Sequence, residues 1–185
     1  MEASPKKLIV HIVTHGKHQK QGKGPSGYDG PLTTEGVTTV SALKEKLWRE
    51  HLSRSNVHIF RGEMKRHAHT ARVLDVPATL IRECGRDEDM FLALDPENPH
   101  CQEPVTRFRD WLRELSRTGY NEVLLIGSRI LPLLVKYLQE GGEKKYGKFA
   151  HFCNAIAETD WGVEIPMMVS GRLWTFETTF VFPDR

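Results

Sequence analysis

The chain has 185 residues, and 26 Lys+Arg against 24 Asp+Glu leave a formal charge of +2, with 39% hydrophobic and 27% charged residues. These are ordinary globular proportions, and a chain of this length buries roughly 70% of the surface its unfolded form exposes, so it needs neither a disulfide framework nor a metal staple. The longest apolar run, Ile130 to Val135, contains Pro132 and falls well short of the roughly 18 residues of a membrane span; the near-neutral charge gives no general case for nucleic acid or membrane partners.

Residues 1–6 read as a flexible lead into Leu8-Ile-Val-His-Ile-Val13, a short β-branched strand ending at His15-Gly16. A basic loop follows over 17–31, where glycines and prolines exclude a long helix. Thr33 or Thr34 can cap the next helix, because a hydroxyl satisfies amide donors without an intrahelical partner. Val37, Val40, Leu43 and Leu47 recur at helical spacing as far as about Leu52. Val57 to Phe60 reads as a second strand. Met64, Ala68 and Ala71 share a helical face that Pro77 ends, and Ala78 to Ile81 reads as a third strand.

After a charged, proline-rich loop from Glu83 to Glu103, the residues Val105, Phe108, Trp111, Leu112 and Leu115 form an amphipathic helix closed at Gly119. Glu122 to Gly127 is the most apolar strand, and Ile130 to Leu138 is a helix apolar nearly all round. Gly141-Gly142 with Lys144 and Lys145 reads as a surface turn, and the tail from Cys153 to Phe182 as further strand. Strands alternating with helices indicate a single α/β domain over 1–185, a three-layer sandwich with a mostly parallel central sheet and helices on both faces.

Cys84, Cys101 and Cys153 are an odd set with no C-x-x-C pair and read as reduced thiols. The polar start lacks the apolar stretch of a secretory signal, and a cytoplasmic location is the expectation.

Ligands in such sheets bind beyond the carboxyl ends of the strands. His15-Gly16, Arg61 to Arg66, Glu83 and Gly127-Ser-Arg129 should therefore converge on one rim. These segments resemble the histidine phosphatase (phosphoglycerate mutase-like) superfamily. Thr14-His15-Gly16 stands where that family has Arg-His-Gly, Asp29-Gly-Pro-Leu-Thr-Thr-Glu-Gly36 matches D-x-P-L-T-x-x-G, and Met64 to Ala71 resembles L-x-R-A-x-x-T-A. Ile81-Arg-Glu83 resembles an L-x-E segment, Val123 to Leu134 resembles V-L-V-V-S-H-G-x-x-x-x-L, and Asn154 to Glu158 is similar to a closing Asn-led strand. The resemblance implies His15 as phosphoryl acceptor, Glu83 as proton donor, and Gly16 and Arg66 in a phosphate-binding pocket. It also implies a homodimer by analogy alone.

The departures bear on activity. Thr14 replaces the arginine ahead of the acceptor, and Ser128, followed by Arg129, replaces the second histidine. Hydrogen bonds to charged groups are worth roughly 1.5–3 kcal/mol each. Loss of two such donors removes about 3–6 kcal/mol of transition-state stabilisation, on the order of a 10²- to 10⁴-fold slower reaction, a scale only, because such groups act as a unit. Two readings follow. One is a catalytically impaired pseudophosphatase that binds a phosphorylated small molecule, a phosphoprotein or another protein partner; the other is an active, divergent phosphomonoesterase with a clamp rebuilt from Arg129 and Lys17.

No cofactor is implied. A metal reading has little behind it: His67 and His69, about 200° apart on a helix, cannot jointly hold an ion, and no zinc-type spacing is present. Gly22 to Gly27 lacks the G-K-[ST] ending of a phosphate loop. Trp111 belongs to the core by its spacing, whereas Trp161, Trp174 and Pro166-Met-Met168 fall in a less regular region suited to a partner surface. The run Lys17 to Lys23 is either a solvated loop or a basic lid that draws in a polyanion. If it is a lid, alanine at Lys17, Lys20 and Lys23 weakens anion binding and flattens its salt dependence; unchanged binding in a titration would contradict that role.

Overall fold

A five-stranded sheet of order β3-β2-β4-β1-β5 organises the chain: β1 is Lys7–Thr14, β2 His58–Arg61, β3 Ile81–Glu83, β4 Glu122–Gly127 and β5 Leu173–Thr179. The computed structural model describes residues 7–19, 30–53, 57–83, 102–157 and 170–179. β1, β2, β3 and β4 pair in parallel, and β5 lies antiparallel along β1 at one edge. Helices α1 (Thr34–Leu47) and α2 (Lys65–Val73) belong to one layer; α3 (Gln102–Thr118), α4 (Leu131–Gln139), the short α5 (Gly142–Tyr146) and α6 (Phe149–Ala157) belong to the other. This is the three-layer α/β architecture expected from the pattern.

Strand periodicity of two divides the core. Leu8, Val10, Ile12, Val123 and Leu125 point to the face where Phe108, Leu112, Leu134 and Phe152 pack. Val13, Leu124 and Ile126 point to the other, against Val40, Leu47, Ala71 and Leu74. Because β1 and β4 are covered on both faces, they read as continuous apolar runs.

Three sequence readings are corrected. The stretch from Cys153 is not strand throughout: residues to Ala157 end α6, and strand is formed only over Leu173–Thr179. Phe149 and Phe152, three apart and both buried on one core, impose a helical rather than an alternating period. The Gly141-Gly142 turn opens a helical turn with Gly142 buried against Tyr137, whose hydroxyl donates to the Gly147 carbonyl at 2.5 Å. Ala78 to Leu80 is a 3₁₀ turn after Pro77, which places the third strand at Ile81–Glu83. No helix among the described residues is long and apolar enough to cross a membrane.

The entry to α1 explains its motif. Thr33 is the N-cap, its hydroxyl accepting from the Gly36 amide at 3.1 Å; Leu32 is buried, and its amide donates to His69 Nδ1 at 3.0 Å. Gly36 sits under the backbone that leaves β1, and a Cβ there would lie 2.1 Å from the Lys17 carbonyl oxygen. Alanine in a helix is favoured over glycine by about 1 kcal/mol, but the obstructing atom is backbone. Overpacking of this kind costs about 1–3 kcal/mol or more. Gly36→Ala should therefore destabilise the chain in urea unfolding, despite the gain in helix propensity; a stabilised variant would contradict the packing described.

Candidate phosphate-binding site

The carboxyl ends of four parallel strands bring the predicted segments together. Thr14 pairs in register with Gly127, and Arg61 with both Ile126 and Glu83. His15, at the end of β1, is 4% exposed. Its amide donates to the Gly127 carbonyl at 3.0 Å, and its own carbonyl accepts from the Gly171 amide at 3.1 Å. The ring is fixed as firmly: Nδ1 lies 2.9 Å from the Gly16 carbonyl oxygen. A carbonyl only accepts, so Nδ1 carries the hydrogen and the lone pair of the neutral ring resides on Nε2. Gly16 itself packs closely on α1, where a Cβ would lie 2.6 Å from the Gly36 carbonyl oxygen.

The His15 pKa is pushed down from 6.5 to about 3, chiefly by burial; the Gly16 hydrogen bond opposes this, and Arg66, His18 and Arg129 act in the same direction as burial. The imidazole is neutral at physiological pH. The charges acting on it from Arg66 and Arg129 are those that attract an anion.

Arg66 is buried in the first turn of α2. Its carbonyl accepts from the buried Thr70 hydroxyl at 2.8 Å, and Ala71 packs into the core. That accounts for the Arg-x-x-x-Thr-Ala spacing. Ser128 is buried where β4 ends, and Arg129 follows it half-buried. Glu83 ends β3 beside Arg61, and only its backbone is described.

Two of the predicted side chains have partners outside the His15 group. Lys17 Nζ is 2.5 Å from Glu35 on α1, both side chains exposed. The Thr14 side chain is committed to the backbone entering β5: its hydroxyl oxygen accepts from the Arg172 amide at 3.1 Å. Asp29, Lys20, Lys23, Cys84, Cys101, Trp161, Glu158 and Pro166 to Met168 lie outside the described residues.

His67 went unrecognised as a member of this group. It is fully buried with its ring centroid 5.5 Å from that of His15, and His18 stands edge-on to His15 at 5.0 Å. Burial, reinforced by His15, Arg66 and Arg61, holds the His67 pKa well below its usual value, and neither ring nitrogen has a hydrogen-bond partner among the described residues. A histidine adjoining the predicted phosphate arginine was the available signal. His67 and His69 do diverge: His67 turns to His15, and His69 to Leu32.

Two buried neutral imidazoles make stability pH-dependent. Below pH 6.5 the unfolded chain binds protons at these positions that the folded chain does not, down to about pH 3 for His15, so their contribution is complete above 6.5 and lost as pH falls. His15 alone should remove about 2 kcal/mol of stability between pH 6.5 and 5, with His67 acting in the same direction. Urea titrations should show that loss, and His15→Gln should flatten it; a pH-independent native chain would contradict the buried neutral ring.

No family model and no curated protein sequence matches the chain. Solved structures do. The chain is similar to SixA of Agrobacterium tumefaciens, provisionally designated a phosphohistidine phosphatase, at 13% identity and a TM-score of 0.58, covering 98% of this chain and 97% of that one. It is also similar to the mycobacterial glucosyl-3-phosphoglycerate phosphatase Rv2419c (15%, TM-score 0.57, 92% and 90% covered) and to Bacillus stearothermophilus YhfR (12%, TM-score 0.57, 91% and 90% covered). With its strand order and nearly complete coverage in these superpositions, the chain has the fold of the histidine phosphatase, phosphoglycerate mutase-like proteins.

Proposed function

We propose that this chain is a histidine phosphatase-like protein of reduced catalytic power that binds a phosphorylated ligand, a small molecule or a phosphoprotein, against His15, Arg66 and Arg129. The observation that carries this reading is the commitment of Thr14 to the β5 backbone. Where the resembling family has a guanidinium beside the acceptor histidine, this chain has a hydroxyl already engaged elsewhere. A guanidinium supplies fixed bidentate donors to phosphate oxygens. Phosphoryl transfer depends almost wholly on positioning and charge stabilisation, so a site short of such donors retains binding better than rate.

What remains is a coherent anion site. The His15 lone pair on Nε2 needs no deprotonation at neutral pH. Arg66 and Arg129 supply positive charge, and neutral His67 can still donate one N–H hydrogen bond. In the chemistry implied by the family resemblance, Nε2 attacks phosphorus as the ester P–O bond breaks. The leaving oxygen takes a proton, the role that resemblance gives Glu83, and water then attacks the phosphohistidine to release phosphate and restore the ring.

A second reading, an active phosphomonoesterase, is favoured by Arg129, whose charge reaches His15 from the segment that follows β4. Turnover on a broad phosphomonoester panel, with phosphate or vanadate binding followed by thermal shift, separates the two. The proposal expects anion stabilisation that Arg66→Ala reduces at least tenfold in affinity, with turnover at or near background. Robust turnover abolished by His15→Ala and reduced on the order of 10²-fold by Arg129→Ala would establish the second reading. Absence of stabilisation by any phosphate-like anion would overturn both. Any phosphohistidine formation should also lack an acid limb near pH 6.5, because the His15 pKa lies near 3.

A further inference from the structure

A second cluster of chemically capable side chains lies toward the opposite edge of the sheet. Glu122 is the first residue of β4, whereas the phosphate-binding rim is at that strand's other end. His11 lies in the middle of β1, a polar ring between the apolar residues Val10 and Ile12, on the same face as Val13. His51 comes from the π-helical turn Trp48–Leu52 that continues α1. His11 is 2% exposed, and His51 and Glu122 are each 12% exposed. The two imidazole centroids are 3.9 Å apart.

One ligand atom from each of these residues lies within 4.8 Å of the others. His11 Nε2 is 2.7 Å from Glu122 Oε1, and His51 Nδ1 is 3.8 Å from the same oxygen. Metal–nitrogen and metal–oxygen bonds of about 2.0–2.2 Å at tetrahedral angles place neighbouring ligand atoms roughly 3.3–3.5 Å apart. The two observed separations bracket that value, and the remaining pair of ligand atoms lies within 4.8 Å. His11 is also oriented from behind: its Nδ1 is 2.9 Å from Thr175 Oγ1 on β5. A metal-bound imidazole characteristically has such a partner on its other nitrogen.

We propose that His11, His51 and Glu122 form a binding site for a divalent transition metal of the zinc class, with water in the fourth position. Two imidazole nitrogens and one carboxylate oxygen suit zinc better than calcium or magnesium, which take oxygen ligands. Without metal, the carboxylate can only accept, so His11 Nε2 carries the proton of the 2.7 Å contact. Coordination through Nε2 takes the other neutral tautomer: the hydrogen leaves Nε2 for solvent, one is taken up from solvent at Nδ1, and the N–metal bond forms with no net release from the ring. With Nδ1 then protonated, the ring donates to the Thr175 hydroxyl. The ion would tie the end of α1 to β1 and β4, and its binding does not depend on the phosphate site.

Calorimetric titration of the chelator-treated full chain with zinc chloride tests this, with cobalt(II) absorption reporting the ligand geometry. The site predicts one equivalent bound and a higher Tm. Thr175→Val should weaken binding by about 10- to 100-fold, and His51→Ala by more, with both variants first shown to be folded without metal. His15→Ala should leave zinc affinity unchanged, which separates this site from the His15, His18 and His67 group. Failure to bind zinc, binding that persists in both His51→Ala and Thr175→Val, or binding lost in His15→Ala would each overturn the assignment.

Discussion

The contact on which the site depends is the one between the His15 ring and the carbonyl of the next residue. It sets the tautomer, and with it the atom that faces an incoming ligand. The ring can hold that geometry because the backbone on either side is already engaged, through the Gly127 carbonyl on β4 and the Gly171 amide leading into β5. Gly16 and Gly36 permit the chain leaving β1 to pass against α1 at a distance no side chain would allow. Apolar packing on both faces of β1 and β4 fixes the strand ends, and the strand ends fix the imidazole.

Electrostatics follow from this placement. Burial removes water that would stabilise an imidazolium, and nearby guanidinium groups oppose a further positive charge, so His15 is neutral and its surroundings are cationic. Such a combination favours an anion and offers it a nitrogen lone pair. The adjacent Thr14 points the other way functionally, since its hydroxyl serves the junction of β1 with β5. The chain thus holds the His15 ring at the end of β1 with no arginine in the preceding position, and in the function proposed here this asymmetry is the physical basis for weak chemistry with retained binding.

Much of this was legible in the residues because the relevant signals are local. The apolar runs of β1 and β4, the Thr33 cap and the Pro77 stop lie in adjacent residues, and the alternation of elements then dictates which loops share a rim. Long-range determinants were not legible. The pairing of Lys17 with Glu35 at the N-terminal turn of α1 joins residues far apart in the chain and has no local signal. His67 became part of the site only when α2 was laid against β1, and His11, His51 and Glu122 are separated by tens of residues with no common spacing. The helix at Phe149 was obscured by tail residues whose pattern mixes both periods.

The most direct test of the central claim is nitrogen-15 NMR of the histidine rings across pH, with and without inorganic phosphate. The account predicts a His15 ring that is neutral with the hydrogen on Nδ1 throughout pH 5–8, and whose Nε2 resonance moves when phosphate is added. A His15 ring that titrates near its ordinary 6.5, carries its hydrogen on Nε2, or ignores phosphate would contradict it.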